Sequence, residues 1–414
     1  MKFKKENVRV AEKTSSRSFR SLIRSLGPGI ITAALVFGPG SLTINTKLGA
    51  SFGFSLLWVL VLSTIFMLAF TSMSTRIGLN SPASFISRIK TEISPVLGII
   101  CGVSIFLITA SFQAGNTIGA SISFSELSGS PLWMWVAFFS LATILLLFLK
   151  SFYKVLERLM IGLVSIMLLC FLLTLIMAGP NLVAMAQGLI PSIPKGSDYL
   201  IITLTASSFS IVGAFYQSYL VREKEWKKGA KEITLAENRT GIITLGLLSS
   251  LVMSCASAVL YHNNISVDNA SDLGKALEPL FGQFTSTLFM IGLFAASFSS
   301  MIGNATIGGV ILSDTIFGHS KLSYWSVRSM IILVIIIGAT VALIFGSLPL
   351  QLIIFAQGIT ILIVPLVAIV LVIFSSTQLI TEELRNSVYM KVMGVLGILV
   401  LSGMSIYSIK YLFF

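Results

Sequence analysis

The sequence predicts an all-α polytopic membrane protein, built as two five-span halves of opposite orientation with an eleventh span behind them. Three observations carry that prediction. Hydrophobic residues make up 55% of the 414 residues and charged residues only 11%, where a soluble domain carries about 25% charged residues. Apolar runs recur along the chain, and several reach the roughly 17–25 residues that a helix needs to cross a bilayer. Lysine and arginine collect in every second loop between those runs.

The spans fall at 28–46, 53–75, 94–116, 132–149, 155–178, 200–220, 240–260, 286–311, 329–346, 350–375 and 390–412. With the N-terminus in the cytoplasm, 24 of the 28 Lys and Arg lie on the inner side, and Lys47, Lys195, Lys275 and Lys410 remain outside. That is the asymmetry of the positive-inside rule. It also checks the span count, because one missed span would invert every later loop, and it places the C-terminus outside. Residues 1–27 read as a basic cytoplasmic tail, without the cleavage site of a signal peptide. Residues 28–414 are expected to form the transmembrane domain, with repeat one at about 28–178, repeat two at about 200–375 and the extra helix at about 390–412. The expected location is a prokaryotic plasma membrane.

The net charge of +12 follows from this topology, since many inner loops face anionic lipid. The bilayer is the expected partner and nucleic acid is not. Cys101, Cys170 and Cys255 lie in apolar spans without metal-ligand spacing and read as packing residues. His262 and His319 fall in loops on opposite sides. The spans show no paired acids, histidine set or activated nucleophile, so no enzyme activity is expected, and no cofactor. The 15 methionines are scattered, unlike the clustered sulfurs of a soft-metal site.

The first span is broken by Gly38-Pro39-Gly40-Ser41. Such a break frees backbone groups that lipid cannot satisfy. The alternative, a packing kink at one proline, accounts less well for two flanking glycines. The sixth span, Thr205 to Gln217, has a matching weakness, with Ser207, Ser208, Ser210 and Gly213 crowding its middle. Interruptions at corresponding places in two halves point to an inverted-repeat transporter with a site at mid-membrane.

Taken together, these stretches resemble the natural-resistance-associated macrophage protein family of proton-coupled divalent-metal transporters. The resemblance covers nearly the whole chain. It rests on Gly27-Pro28-Gly29, Gly38-Pro39-Gly40-Ser41 and Leu48-Gly49-Ala50 in the first span. Glu157-Arg158 with Met160 and Met167 in the fifth, Gly292 to Ser300 in the eighth, and Ala356-Gln357-Gly358 with Pro365 in the tenth add to it. It implies the leucine-transporter type of fold. The substrate motif departs from the family. Where the family has Asp-Pro-Gly-Asn, this chain has Gly38-Pro39-Gly40-Ser41, and where it has methionine followed by Pro-His, this chain has Ser210, Ile211 and Val212. A later family histidine falls at Gln217.

The expected substrate-binding residues are therefore Gly38, Pro39, Gly40, Ser41, Ser207, Ser210 and Gln357. Asn45, Tyr216, Gln217, Glu157 and Arg158 are candidates for gating or for the pathway, Glu157 and Arg158 as a cytoplasmic pair or as a solvated helix start. Gln113, Asn116 and Asn304 read as interhelical hydrogen-bonding residues rather than site residues. Segment 222–239 reads as a cytosolic helix. No carboxylate ligand for a metal is found near mid-membrane. Divalent cations favour charged oxygens, so Mg²⁺ or Mn²⁺ would be held weakly by hydroxyls, carbonyls and retained water. The leading reading is a secondary transporter of divalent metal cations with atypical selectivity, with protons as a candidate coupling ion. Transport of a small organic solute or anion is the alternative, since the amide ends of half-helices suit a carboxylate. A non-transporting membrane scaffold is the third.

Overall fold

The computed structural model describes residues 28–149, 152–224, 231–261, 282–346 and 350–413, with isolated positions between 263 and 278; for 28, 29, 152–154, 350–359 and 411–413 it describes the backbone alone. The basic tail, His262 and the Gln357 side chain lie outside what is described.

The helices follow the predicted spans in order. The first span is two pieces, α1 (Pro28–Val36) and α2 (Pro39–Phe52). Then come α3 (Leu57–Asn80), the short α4 (Phe85–Glu92), α5 (Pro95–Ser128), α6 (Leu132–Leu146), α7 (Phe152–Ala178) and the short α8 (Leu182–Gln187). The sixth span is again two pieces, α9 (Asp198–Ser208) and α10 (Ile211–Glu223). It is followed by α11 (Lys231–Ala256), prolonged by a π-turn at Ser257–Tyr261, and by α12 (Gln283–Phe317), α13 (Trp325–Phe345), α14 (Leu350–Ser376) and α15 (Val388–Phe413). Among the described residues, eight stretches are long and apolar enough to cross a membrane unaided. The split first span, the 15-residue α6 and the stretch Thr360–Ser376 of α14 are the shorter apolar pieces.

The 222–239 expectation is corrected in part. Residues 225–230 are outside the described set, but α11 already begins at Lys231. The charged stretch from there is the first turns of the seventh span rather than a separate helix.

Two long helices, α5 and α12, pack on one another more extensively than any other pair among the described residues. Small residues let helices approach. At Gly309 of α12 a Cβ would lie 2.4 Å from the backbone nitrogen of Ile331 in α13, so only glycine fits. Helix α11 runs along both halves of the first span and along α3. Helix α15 packs on α14 and α3, and Val388, Leu399 and Ile406 face outward, as expected of a helix beside the bundle. The short α4 is amphipathic. Ser84 caps it, its Oγ accepting the Ser87 amide at 3.0 Å, and it turns Phe85, Ile86 and Ile89 inward.

Candidate functional site

Both interruptions are present. Gly38, at φ −116° and ψ −173°, is extended and starts α2, and Phe209 and Ser210 are non-helical between α9 and α10. The two meet. Ser207 donates to Ser41 Oγ at 2.6 Å, joining the broken spans through two buried hydroxyls. Around this contact lies a cavity of about 60 Å³, room for roughly four waters at about 10–15 Å³ of such volume each.

Gly38, Gly40, Ser41, Ser207 and Ser210 all line that cavity. Pro39 does not; its ring lies against α5 at Gly119. Asn116 and Asn304, expected to serve only interhelical bonding, line it as well as making such bonds, and Gln113 makes one to the Met301 carbonyl at 3.0 Å. Sequence reasoning missed Ser300, Thr360 and the apolar Ile108, Phe112 and Val364. The run Ser297-Phe298-Ser299-Ser300 was the available signal for Ser300. Among the described residues no acidic side chain lines the cavity, and no group of three or more His, Cys, Asp or Glu could hold a metal ion. The three cysteines are free and buried.

The pathway candidates do not line the cavity. Asn45 Nδ2 donates to the Ser41 carbonyl at 2.7 Å. Gln217 Oε1 accepts from Thr32 at 2.5 Å, linking α10 to α1, while its Nε2 is buried with no hydrogen-bond partner among the described residues. Tyr216 is buried and stacks on Tyr219 at 5.8 Å. Glu157 and Arg158 are not a pair. Glu157 binds Lys224, just past α10, at 3.0 Å, and Lys224 also reaches Glu237 of α11 at 3.6 Å, whereas Arg158 is exposed.

The charge distribution follows from where the backbone groups go. A helix leaves its last four carbonyls and first four amides unpaired, which gives its ends partial negative and positive charge. At the end of α1 every one of these carbonyls is occupied. Ala33 accepts from the Phe37 amide (2.9 Å) and Ala34 from Ser299 (3.1 Å). Leu35 accepts from Ser300 (2.7 Å) and Asn304 (3.4 Å), and Val36 from the Gly38 amide (3.1 Å) and Ser41 (3.3 Å). At the end of α9 Thr205 accepts the Phe209 amide at 2.7 Å, while Ala206, Ser207 and Ser208 keep carbonyls with no donor among the described residues. The amides of Gly40 and Ser41 at the start of α2, and of Ile211 and Val212 at the start of α10, have no acceptor among the described residues; Gly213 is capped by Ser210 Oγ at 3.2 Å.

Two broken helices meeting at a small cavity of mixed polar and apolar lining, inside a bundle that is helical among the described residues, give the leucine-transporter fold. Solved structures bear that out. The chain superposes on the Eremococcus coleocola manganese transporter with a TM-score of 0.79, at 22% identity, over 96% of this chain and 88% of the other. It superposes on Mhp1, a nucleobase-cation-symport-1 family transporter, at 0.63 with 13% identity, covering 93% of each chain. On MhsT in complex with L-phenylalanine the score is 0.55 with 14% identity, over 91% of this chain and 98% of that one.

Residues 29–410 match the family described as natural resistance-associated macrophage protein-like, and the chain belongs to that family. Curated relatives include the divalent metal cation transporter MntH of Klebsiella pneumoniae (strain 342), 24% identical over 400 residues, 92% of this chain and 93% of the relative. The MntH of Yersinia pestis (strain Pestoides F) is also 24% identical, over 402 residues, 95% and 97% of the two chains.

Proposed function

We propose that the chain is a secondary transporter working by alternating access, and that it carries a divalent cation which keeps part of its water. The observation that supports this best is the junction of the two breaks at one small neutral cavity, held by the Ser41–Ser207 bond. The relatives named as divalent metal cation transporters and the manganese-transporter fold favour a metal as cargo. The uncapped α9 carbonyls with the hydroxyls of Ser41, Ser207 and Ser210 supply neutral oxygens, which suit a hard ion such as Mg²⁺ or Mn²⁺. Without a carboxylate to offset its charge such an ion binds weakly. Protons are the proposed coupling ion, and the N-terminus faces the cytoplasm.

A second reading is favoured by one observation. All four carbonyls ending α1 are occupied, while four amides at the starts of α2 and α10 have no acceptor among the described residues. That bias suits a small carboxylate. Uptake into proteoliposomes separates the two. Accumulation of Mn²⁺ or Mg²⁺, increased by an inward proton gradient and competed by the other cation, supports the first. Uptake of a small carboxylate that neither cation inhibits replaces it with the second.

A further inference from the structure

Away from the cavity, α4, α10 and α12 meet around a buried acid. Asp314 lies in the last turn of α12 and is 1% exposed. Tyr219 of α10 donates its hydroxyl to Asp314 Oδ2 at 2.6 Å, and the Tyr219 hydroxyl oxygen accepts the Ile86 amide of α4 at 3.3 Å. One side chain thereby ties α10 to two elements remote in sequence. Asp314 Oδ1 is buried with no hydrogen-bond partner among the described residues. The polar and charged groups facing the carboxylate are Tyr219 and Arg222 from α10, and Lys90 and the cap residue Ser84 from α4. Two of these brace the same junction, Lys90 by binding the Thr315 carbonyl and Arg222 by binding the Pro82 carbonyl at 2.9 Å. Stacking of Phe85 on Phe215 at 4.5 Å packs the rest.

Packing alone does not require an acid here. A carboxylate at a helix C-terminus works against the helix dipole, and an ionisable group buried in a membrane bundle is costly unless it is used. Helix α10 is the element it holds, and the non-helical Phe209–Ser210 gives α10 a point about which to pivot. We propose that Asp314 is a proton-binding group that controls this junction. As a carboxylate it holds Tyr219, and with it α10 and α4, against α12. A proton taken from water onto Oδ1 turns a charge-assisted hydrogen bond into a neutral one of about half the strength, and α10 swings away from the cavity. The proposal rests on alternating access and not on the identity of the cargo.

The test reads cavity access directly. A cysteine replaces Ile307, on the cavity wall of α12, in protein whose three native cysteines are changed to alanine. The purified full chain in nanodiscs, without substrate, is labelled with a maleimide. Each rate is divided by that of the same thiol in denatured protein at the same pH. Normalised labelling is expected to rise about tenfold as pH falls from about 8 to about 5, across the range where a buried carboxyl takes up its proton. Asp314→Asn keeps the shape and an acceptor for Tyr219, and is expected to label at the fast rate at both pH values. Tyr219→Phe should match it, and the double variant should be no faster, because all three abolish the same charge-assisted bond. Should Tyr219→Phe not fold, Asp314→Asn carries the test. Labelling that ignores pH in the parent, or an Asp314→Asn variant that keeps the parent's pH dependence, overturns the proposal. Because no cargo is present, a wrong choice of cargo cannot imitate that failure.

Discussion

Restoring a carboxylate at the first break is the perturbation that tests the neutral site most sharply. From sequence alone, Gly38→Asp with Ser41→Asn and Ser210→Met rebuilds the family's motif. The structure adds a fourth position. A Cβ on residue 38 would lie 2.6 Å from Ser300 Oγ, 2.9 Å from Ser300 Cβ and 2.9 Å from Asn116 Oδ1. Asn116 can turn its amide, but Ser300 is fixed by its bond to the Leu35 carbonyl at 2.7 Å. Gly38→Asp alone is therefore overpacked, at a cost of about 1–3 kcal/mol. Ser300→Gly removes both close atoms. It gives up about 1 kcal/mol of helix propensity, and Asn304 still reaches the Leu35 carbonyl at 3.4 Å. The gain is electrostatic. One unit charge pair at about 4 Å is worth about 4 kcal/mol at an effective dielectric of about 20, so even after desolvation a dication should bind at least about tenfold tighter. Calorimetry with Mn²⁺ and thermal melts in detergent read both quantities. Gly38→Asp is expected to melt lower with no gain in binding, and Gly38→Asp with Ser300→Gly to bind Mn²⁺ at least tenfold tighter than the parent. Micromolar Mn²⁺ binding by the unmodified protein refutes the neutral-site argument. Tight binding by Gly38→Asp alone, at unchanged stability, refutes the role given to Ser300.

Other changes have defined outcomes. Ser41→Ala and Ser207→Ala should each cost about 1 kcal/mol in thermal stability, and the double variant less than their sum, because they share the 2.6 Å bond. Gly309→Ala drives a Cβ to 2.4 Å from the backbone of α13 and should destabilise by about 1–3 kcal/mol, whereas Gly162→Ala in α7 meets open space and should be neutral or stabilising in the same melts. Lys224→Met should destabilise more than Glu157→Gln, because it deprives Glu237, whose side chain is 5% exposed, of its cation; equal melting temperatures would show that Glu237 has another support.

The fold was legible because hydropathy and loop charge report directly on where a helix crosses lipid, and because glycine and proline mark where it cannot stay regular. Span lengths were less legible. The third span was expected to end near 116, yet α5 runs to Ser128. Its later turns carry Thr117, Ser121 and Ser123, which read as polar but bond to their own helix's carbonyls, as Ser121 does to Thr117 at 2.7 Å. Helix α4 was invisible, being eight residues with two basic side chains, too short to register as a buried element. Of the site, the residues at the breaks were readable from local chemistry. Ser300, Asn304 and the Tyr219–Asp314 bond were not, because they depend on which helices cross. Tyr219 and Asp314 are 95 residues apart, and nothing periodic in the sequence pairs them.

The uncharged cavity has an electrical consequence. A carrier with a carboxylate in its centre returns empty bearing a negative charge, so part of the membrane voltage acts on the return. With Gly38 in that place and no acid among the described lining residues, the central site of the empty carrier contributes no charge to the crossing. On the divalent-cation reading, the field acts there on the loaded step alone, and a full crossing by a dication is worth about 4.6 kcal/mol per 100 mV, twice the roughly 2.3 kcal/mol of a single charge. Polarising the vesicles negative inside would then accelerate uptake and leave the rate of the reset unchanged.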